Sequence, residues 1–362
     1  MSGNTNPNVV TDGLVLCLDA GNDESYANSG VIPPKSESIA EPWQNYTGSI
    51  SNASDFWTII GDDGVLLDDG TVDWVGKFDS QIPSTGYWTV SFEHQSTSTG
   101  RLGIVGGGAS SAYDGLFTTT TTKQIHTETN YISSTEELRF YIRHDLGGDI
   151  TISNFRFYKS DSSGNSLVWH DLGGNEYDAT LVNGPTITST GLELDGANDY
   201  ISLAHGGNLS FSSGSFTISV WHNYSGGTGY GGIITNDSNG DLAWKIKKDT
   251  GQAYFRAKSS YGSGNEATFP AYTLDTFHHY AYTVTSSLMQ LYFNGVAGNS
   301  VSNPGSPTAY NNIAFGSYRY DDAGNGSYLN NQTIGITLLY NRALTATEIL
   351  QNYNAHKARY GL

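Results

Sequence analysis

Residues 12–22 read DGLVLCLDAGN, and residues 167–185 read LVWHDLGGNEYDATLVNGP. The first is one apolar strand, centred on Val15–Leu18, that ends in an Asp-Ala-Gly-Asn turn. The second is the text that would naturally follow that strand in a single sheet. Between the two lies a complete strand set of its own. The chain therefore reads as one β-domain interrupted after its first strand by another. The expected boundaries are 1–31 with 163–362 for the outer domain and 32–162 for the insert. Pro33-Pro34-Lys35-Ser36 and Ser160-Asp161-Ser162-Ser163-Gly164 are turn-rich and are expected to be the exposed junctions.

Strand signals dominate both parts. In the outer domain short apolar or alternating runs fall at Gly191–Leu194, Tyr200–Leu203, Ser215–Trp221, Ala243–Lys247, Ala253–Ala257, His278–Val284, Met289–Phe293, Asn312–Ser317 and Thr333–Tyr340. Asn294-Gly295 is a two-residue hairpin turn, because both positions tolerate positive φ. Thr345-Ala-Thr-Glu348 is a capping box. It opens one helix, whose stripe is read as Ile349, Leu350 and Tyr353. In the insert the runs are Phe56–Ile60, Asp73–Phe78, Tyr87–His94, Leu102–Val105, Leu138–His144 and Ile150–Tyr158. The run Thr118–Thr122 is β-prone and reads as an exposed strand. The predicted fold class is all-β, with two antiparallel sandwiches and one short C-terminal helix.

Composition excludes several functions. Asp and Glu number 35 against 17 Lys and Arg, a net charge of −18. Phosphate backbones and anionic membranes need clustered positive charge, so neither is an expected partner. No apolar run is long enough to span a bilayer. The opening MSGNTNPNVV lacks a charged-then-apolar signal pattern, so secretory export is not expected. Cys17, the single cysteine, allows no internal disulfide and reads as a small buried apolar side chain.

Four segments carry a resemblance when taken in order. They are Leu192-Glu-Leu-Asp-Gly-Ala-Asn-Asp-Tyr200, Ser215-Phe-Thr-Ile-Ser-Val-Trp221, the hairpin His278–Gly295 and the closing Leu338–Tyr353. Together they resemble the concanavalin A-like, laminin-G-like jelly rolls. The opening VVTDGLVLCLDAGN, the WHDLGGNEYDATLVNGP segment and the ending AHKARYGL are similar to laminin-G-like proteins of tailed bacteriophages. In those the first strand runs almost directly into the tryptophan segment, whereas here the insert intervenes. Trp57, Gly86-Tyr-Trp-Thr-Val-Ser-Phe92 and Asp149–Phe157 make the insert resemble galactose-binding-like carbohydrate modules.

Candidate chemistry follows from residue type and spacing. Retaining glycosidases hold two carboxyl groups close together across the scissile bond. The nearest approach here is Glu193-Leu-Asp195-Gly-Ala-Asn-Asp199, whose spacing fails at the third carboxylate and whose Gly196 and Asn198 signal a turn. His278 and His279 are adjacent in a strand and point to opposite faces. No serine elbow, HExxH or phosphate loop is present, so the expectation is a non-enzyme. The resemblance makes calcium a candidate cofactor. Asp237, Asn239 and Asp241, and separately Asp321 and Asp322, offer the oxygen ligands it takes, while Asx turns explain the same residues.

Glycan contact needs aromatic platforms beside hydrogen-bonding groups. Trp88, Val90 and Phe92 share one face that reads as core. Arg139, Tyr141 and Arg143 share one strand face, suited to an acidic sugar or to cross-strand carboxylates. Tyr224, Tyr230, Tyr261, Tyr318 and Tyr320 are read as loop tyrosines available for contact, with packing along the rim as the alternative.

The resemblance implies a non-enzymatic phage virion protein, a capsid decoration or tail-fibre adhesion module that contacts host-surface glycans. It would be assembled in the bacterial cytoplasm and displayed on the virion surface. Its partners would be other capsid or tail proteins, host polysaccharide and further copies of itself. Two alternatives stand beside it. One is a polysaccharide-degrading glycoside hydrolase with a carbohydrate-binding insert. The other is a cement protein without glycan binding.

Overall fold

The computed structural model describes residues 9–22, 57–60, 63–66, 73–81, 84–108, 114–133, 135, 137–146, 149–175, 177–204, 214–226, 230–235, 243–247, 252–256, 266–271, 273–302, 312–317, 319–320, 326–327 and 329–362. The chain forms two compact units, Met1–Tyr26 with Val168–Leu362, and Ala27–Leu167. Strand β1 (Leu14–Leu18) belongs to the first unit. The second unit carries β2 (Trp57–Ile60), β3 (Asp63–Leu66), β4 (Asp73–Gln81), β5 (Gly86–Ser96), β6 (Gly100–Gly108), β7 (Asp114–Thr119), β8 (Gln124–Ile132), β9 (Glu137–Leu146) and β10 (Ile150–Lys159). The first unit resumes with β11 (Val168–Trp169), β12 (Ala179–Val182), β13 (Thr186–Thr188), β14 (Gly191–Asp195), β15 (Tyr200–Ala204), β16 (Phe216–Gly226), β17 (Tyr230–Thr235), β18 (Ala243–Lys247), β19 (Gln252–Arg256) and β20 (Glu266–Ala271). It closes with β21 (Phe277–Val284), β22 (Leu288–Phe293), β23 (Val296–Ser302), β24 (Asn312–Phe315), β25 (Arg319–Tyr320), β26 (Gly326–Ser327), β27 (Asn331–Tyr340) and the helix α1 (Ala346–His356).

The first unit is a concanavalin A-like antiparallel sandwich. One sheet runs β13-β14-β27-β16-β21-β22-β23 and the other β11-β12-β15-β24-β17-β18-β19-β20. β14 takes Asn331–Ile334 of β27, and β1 takes its Thr337–Tyr340 half. Alternate residues of both sheets fill the space between them, as period-two patterning requires. Leu192, Ile218, Val220, Tyr282 and Leu291 come from the first sheet, and Ile201, Leu203, Ile234, Phe255 and Phe315 from the second. The outer face of the first sheet is buried too. There Trp221 lies between Tyr353 (5.6 Å between ring centres) and Tyr360 (4.3 Å), above Ala281, Ile336 and Leu338. A sheet covered on both faces explains why every residue from Gln332 to Tyr340 is buried, Thr333 and Thr337 included.

Asp171 joins the two separated stretches of this unit. Its Oδ1 accepts the backbone N–H groups of Cys17 (2.8 Å) and Gly173 (2.7 Å), and its Oδ2 those of Asn175 (3.3 Å) and Tyr177 (3.4 Å). Leu172 N–H donates to the Cys17 carbonyl (2.8 Å), and Asn175 Nδ2 to that of Val15 (3.0 Å). Burial pushes the Asp171 carboxyl up, and the four N–H groups pull it back. Cys17 is buried, and burial raises its thiol well above the usual range.

The capping box forms as read. Glu348 N–H donates to Thr345 Oγ1 (3.3 Å) and Thr345 N–H to Glu348 Oε2 (2.8 Å). Arg342 grips the same carboxylate with both terminal nitrogens (2.6 and 3.1 Å). The stripe differs from the reading, because Leu350 is 43% exposed. The buried face is Ile349, Asn352 and His356, with Tyr353 beside it; Leu350 falls about 100° round the helix from Ile349. Asn352 belongs inside because its side chain is fully used. Its Oδ1 accepts Val10 N–H (2.9 Å) and its Nδ2 donates to the Tyr340 hydroxyl (2.9 Å).

The second unit has a five-stranded sheet, β2-β3-β10-β5-β8, and a four-stranded sheet, β4-β9-β6-β7. From β4 to β10 the chain crosses between these sheets at every connection except the β6–β7 hairpin, the pattern of a double-sheet jelly roll. Trp88, Val90, Phe92, Ile150, Ile152 and Phe157 are buried in it. The threonine run is half strand: Thr118, exposed, and Thr119, buried, end β7, and Thr120–Thr122 lie beyond it with Thr121 and Thr122 exposed. The segment 160–166 is a folded hairpin in which Ser162 and Ser163 are exposed. Ser160 bridges to Ser166, Asp161 Oδ1 accepts the N–H groups of Ser163 (2.7 Å) and Asn165 (3.0 Å), and Ser160, Gly164 and Ser166 are buried. The segment Pro33–Ser36 lies outside the described residues.

Asp171→Ala strips the acceptor from buried N–H groups and is expected to cost about 3 kcal/mol. Asp171→Asn, which keeps one acceptor oxygen, costs less. Urea unfolding of the full chain, followed by tryptophan fluorescence, measures both. Glu348→Gln is expected to cost about 1 kcal/mol at neutral pH. Arg342 lowers the Glu348 carboxyl from 4.5 to about 2. A lowered carboxyl stabilises the fold above its unfolded value and loses that contribution as pH falls through the folded one. The gap between wild type and variant therefore closes between about pH 4.5 and about pH 2, which thermal unfolding across that range tests.

Candidate functional site

In the first unit the carboxylate cluster at the end of β14 builds a turn. Leu192 and Leu194 enter the core, so Glu193 and Asp195 fall on the other face of the strand. Asp195 Oδ1 accepts the N–H groups of Ala197 (2.8 Å) and Asn198 (3.3 Å), and Asp199 Oδ2 accepts that of Asp195 (3.2 Å). The Ala197 N–H leads in holding the Asp195 carboxyl below its ordinary range, while burial raises that of Asp199. Gly196 has φ +77°, the left-handed conformation the turn requires. These oxygens are occupied by backbone donors and do not face one another across a groove.

The adjacent histidines part as expected. His279 turns outward beneath Trp221, where its Nε2 meets Ser219 Oγ at 2.8 Å, and both side chains are sealed under the helical layer. His278 turns inward against Phe293 (4.9 Å between rings). Burial lowers both, His279 to about 3. A serine and a histidine in contact but without access to solvent support the sheet and offer no nucleophile to a substrate.

A polar bridge crosses the sandwich. Gln332 Nε2 donates to the carbonyls of Gly232 (2.9 Å) and Gly316 (3.3 Å), so its Oε1 is left to accept. His222 Nε2 lies 2.7 Å from that oxygen and therefore carries the proton of a neutral ring. Burial, which lowers His222 to about 4, agrees with the neutral form. Beside the bridge the Asn330 amide packs directly onto Gly231, where any side-chain carbon would overlap it.

An open cleft of about 390 Å³ lies between β20 and the β22–β23 hairpin. Phe269, Leu291, Phe293, Val296 and Ala297 give it an apolar wall, and Thr268 and Asn299 supply polar rims. Asn299 Nδ2 ties the rims together by donating to the Thr268 carbonyl (2.9 Å). Such a surface can take an apolar group with hydrogen bonds at its edge.

The proposed contact tyrosines are not one set. Tyr224 is a correction: it is 1% exposed in the core, because β16 continues past Trp221 and pairs through Gly226 with β27. Tyr230 begins β17 and Tyr320 ends β25. Tyr261, Tyr318, Asp237, Asn239, Asp241, Asp321 and Asp322 lie outside the described residues. Among the described residues no group of three metal-binding side chains is close enough to hold an ion.

In the second unit Arg139, Tyr141 and Arg143 take alternate positions on β9, between β4 and β6. Their partners on β4 are Asp79, Gly76 and Trp74, and on β6 Gly107, Val105 and Gly103. Asp79 thus stands opposite Arg139, the cross-strand carboxylate that the structural alternative needs. Tyr87 and Tyr131 were not singled out by sequence, yet they face each other across β5 and β8. Tyr87 was legible as the outward neighbour of Trp88; Tyr131 was hidden because QIHTETNYI is too polar to announce a strand.

Residues 195–350 match a laminin-G family model described as the concanavalin A-like lectin/glucanases superfamily. Among solved structures, similarity extends to the receptor-binding domain of botulinum neurotoxin C/D mosaic serotype at 16% identity and TM-score 0.42, covering 51% of this chain and 48% of that one. A Trypanosoma rangeli sialidase in complex with 2,3-difluorosialic acid gives 14% and 0.43, covering 64% and 43%. The botulinum neurotoxin serotype D ligand-binding domain with N-acetylneuraminic acid gives 14% and 0.42, covering 54% and 49%. The chain spans about half the length of these structures or less. No curated protein matches the chain.

Gly231→Ala is expected to destabilise the first unit by about 2 kcal/mol through overlap with Asn330. Adding Asn330→Ala in the same chain removes the obstacle, so the two changes together cost less than their sum. A double-mutant cycle in urea reads that coupling.

Proposed function

We propose that this protein is a non-enzymatic surface module of a tailed-phage virion that contacts glycans on its host. In this reading the concanavalin A-like unit is interrupted after β1 by the second unit, and the pair serves capsid decoration or tail adhesion. The observation that carries it is the match of residues 195–350 to a lectin-type domain. Asp195 and Asp199, two of the three carboxylates that stand nearest to a glycosidase pattern, serve in this domain as turn acceptors. The net charge of −18 agrees with partners other than nucleic acid. Fold alone does not fix function, so the site must be tested directly.

The test is a pull-down of the full chain on host cells and on isolated host-surface polysaccharide, with reducing ends assayed in the same tube. Binding without sugar release is the expected outcome. Loss of binding with a calcium chelator would direct attention to Asp237, Asn239 and Asp241 or to Asp321 and Asp322. Release of sugar would overturn the non-enzymatic reading, and Glu193→Gln would then be the first variant to examine. Absence of both binding and release would leave a decoration role without glycan contact.

A further inference from the structure

Among the described residues just two aromatic side chains are strongly exposed, Tyr87 at 39% and Tyr131 at 58%. They are neighbours, paired across β5 and β8 with ring centres 5.2 Å apart at an interplanar angle of 75°. Trp88 on the opposite face of β5 is buried and stacks near Phe157 (5.1 Å). Further along the same face as the two rings the next two rungs are hydroxyl pairs, Thr89 with Thr129 (2.8 Å) and Ser91 with Thr127 (3.1 Å), and there Thr89 and Ser91 are buried.

The hairpin 160–166 stands beside the two rings. Ser160 N–H donates to the Tyr87 carbonyl (3.1 Å), and Ser160 Oγ accepts from Thr89 Oγ1 (2.7 Å). Gly164, at φ +85°, lies so close that a side-chain carbon would come within 2.6 Å of Thr129 Oγ1. The tyrosines thus form the floor of a shallow corner whose wall carries polar groups, with Ser162 and Ser163 exposed on it. Two ring planes at a wide angle present one aromatic face and one phenol edge to the same small volume.

We propose that this corner is a binding subsite for a pyranose unit of a neutral polysaccharide, a deepening that rests on the glycan-contact reading above. Tyrosine supplies rigid, amphipathic contact area at low conformational cost. Its ring face takes the apolar C–H side of a sugar, and the phenol and the serine hydroxyls take the sugar hydroxyls. The charges select the class. Lys159 stands opposite Trp88, on the other face from Tyr87, and its Nζ donates to Ser84 Oγ (2.7 Å). Lys123 is held by Glu93 (2.7 Å), six residues and about 20 Å along β5. Arg156, opposite Ser91, donates to the Phe155 carbonyl (2.9 Å). Both lysines are thus committed elsewhere, Arg156 lies about 13 Å along β5 from Tyr87, and a chain of net charge −18 repels a polyanion.

The experiment is affinity electrophoresis of the full chain through gels containing dextran, mannan or a neutral galactan, with alginate as the acidic probe. The wild-type chain is expected to be retarded by at least one neutral polymer and not by alginate. Tyr87→Ala with Tyr131→Ala should weaken that retardation tenfold or more, with the thermal unfolding midpoint little changed because both rings are exposed. Tyr87→Phe with Tyr131→Phe, which keeps the rings, should retain most of it. Full retardation of the alanine double variant would overturn the subsite while leaving glycan contact elsewhere on the protein intact. Retardation by alginate alone would overturn the ligand class. Retardation by none of the polymers would overturn the proposal, and the cell pull-down then decides separately whether the wider reading survives.

Discussion

The carboxylate of Asp171 is the joint on which the first unit turns. A β-strand far from its sheet partners in sequence must recover the entropy of closing a long loop. β1 does so through its ladder with β27 and through the acceptor oxygens that Asp171 holds against Cys17. The same carboxylate shapes the Gly173–Tyr177 turn, so the geometry that receives β1 and the geometry that starts β12 are set by one side chain. Replacing it by an apolar residue of similar size would leave N–H donors buried without partners. That is the expensive direction of a hydrogen-bond change. The His170–Asp178 contact (2.8 Å) and the Asp171 N–H bond to Asp178 (2.9 Å) hold the joint from its other side.

The second organising feature is the burial of one sheet on both faces. The inner face packs the sandwich core, and the outer face takes Trp221, Tyr353 and Tyr360. Polar groups trapped by this arrangement are used as ties. Gln332 spans from the first sheet to carbonyls of the second, and Thr217 Oγ1 bonds the Arg342 carbonyl (2.8 Å) just before the helix. The covered face cannot serve as a ligand platform. In this unit the open cleft instead lies at the flank, between the last strands of the two sheets.

Much of this was legible from residue pattern, and the failures have physical causes. Strong alternation placed β14, β15, β16, β21, β22 and β27 within a few residues, and Asn294-Gly295 took φ of +48° and +78° as a primed hairpin turn requires. β8 and β23 escaped because edge strands carry polar residues: His126, Glu128 and Asn130 on one, and Gly298, Asn299 and Ser300 on the other. Leu350 was misplaced because hydrophobicity alone cannot tell an exposed leucine from a buried asparagine that has found its partners. The candidate site was less legible than the fold. Tyr224 looked like a loop residue because Asn223, Ser225 and Gly226 resemble a turn, whereas pairing with β27 extends the strand through them. Exposure of Tyr87 and Tyr131 depends on which strand pairs with which, and that is a tertiary fact.

The clasp between the chain ends has a mechanical consequence. Val10 is hydrogen-bonded to Asn352 and Tyr340, and Arg359 holds Asp19 (2.6 Å) and the Gly21 carbonyl (3.0 Å). The amino-terminal stretch and the last turn of the chain therefore leave the same side of the sandwich. A tensile load applied between them passes through these few side-chain bonds and, because β1 lies between Val10 and Asp19, through its ladder with β27 as well.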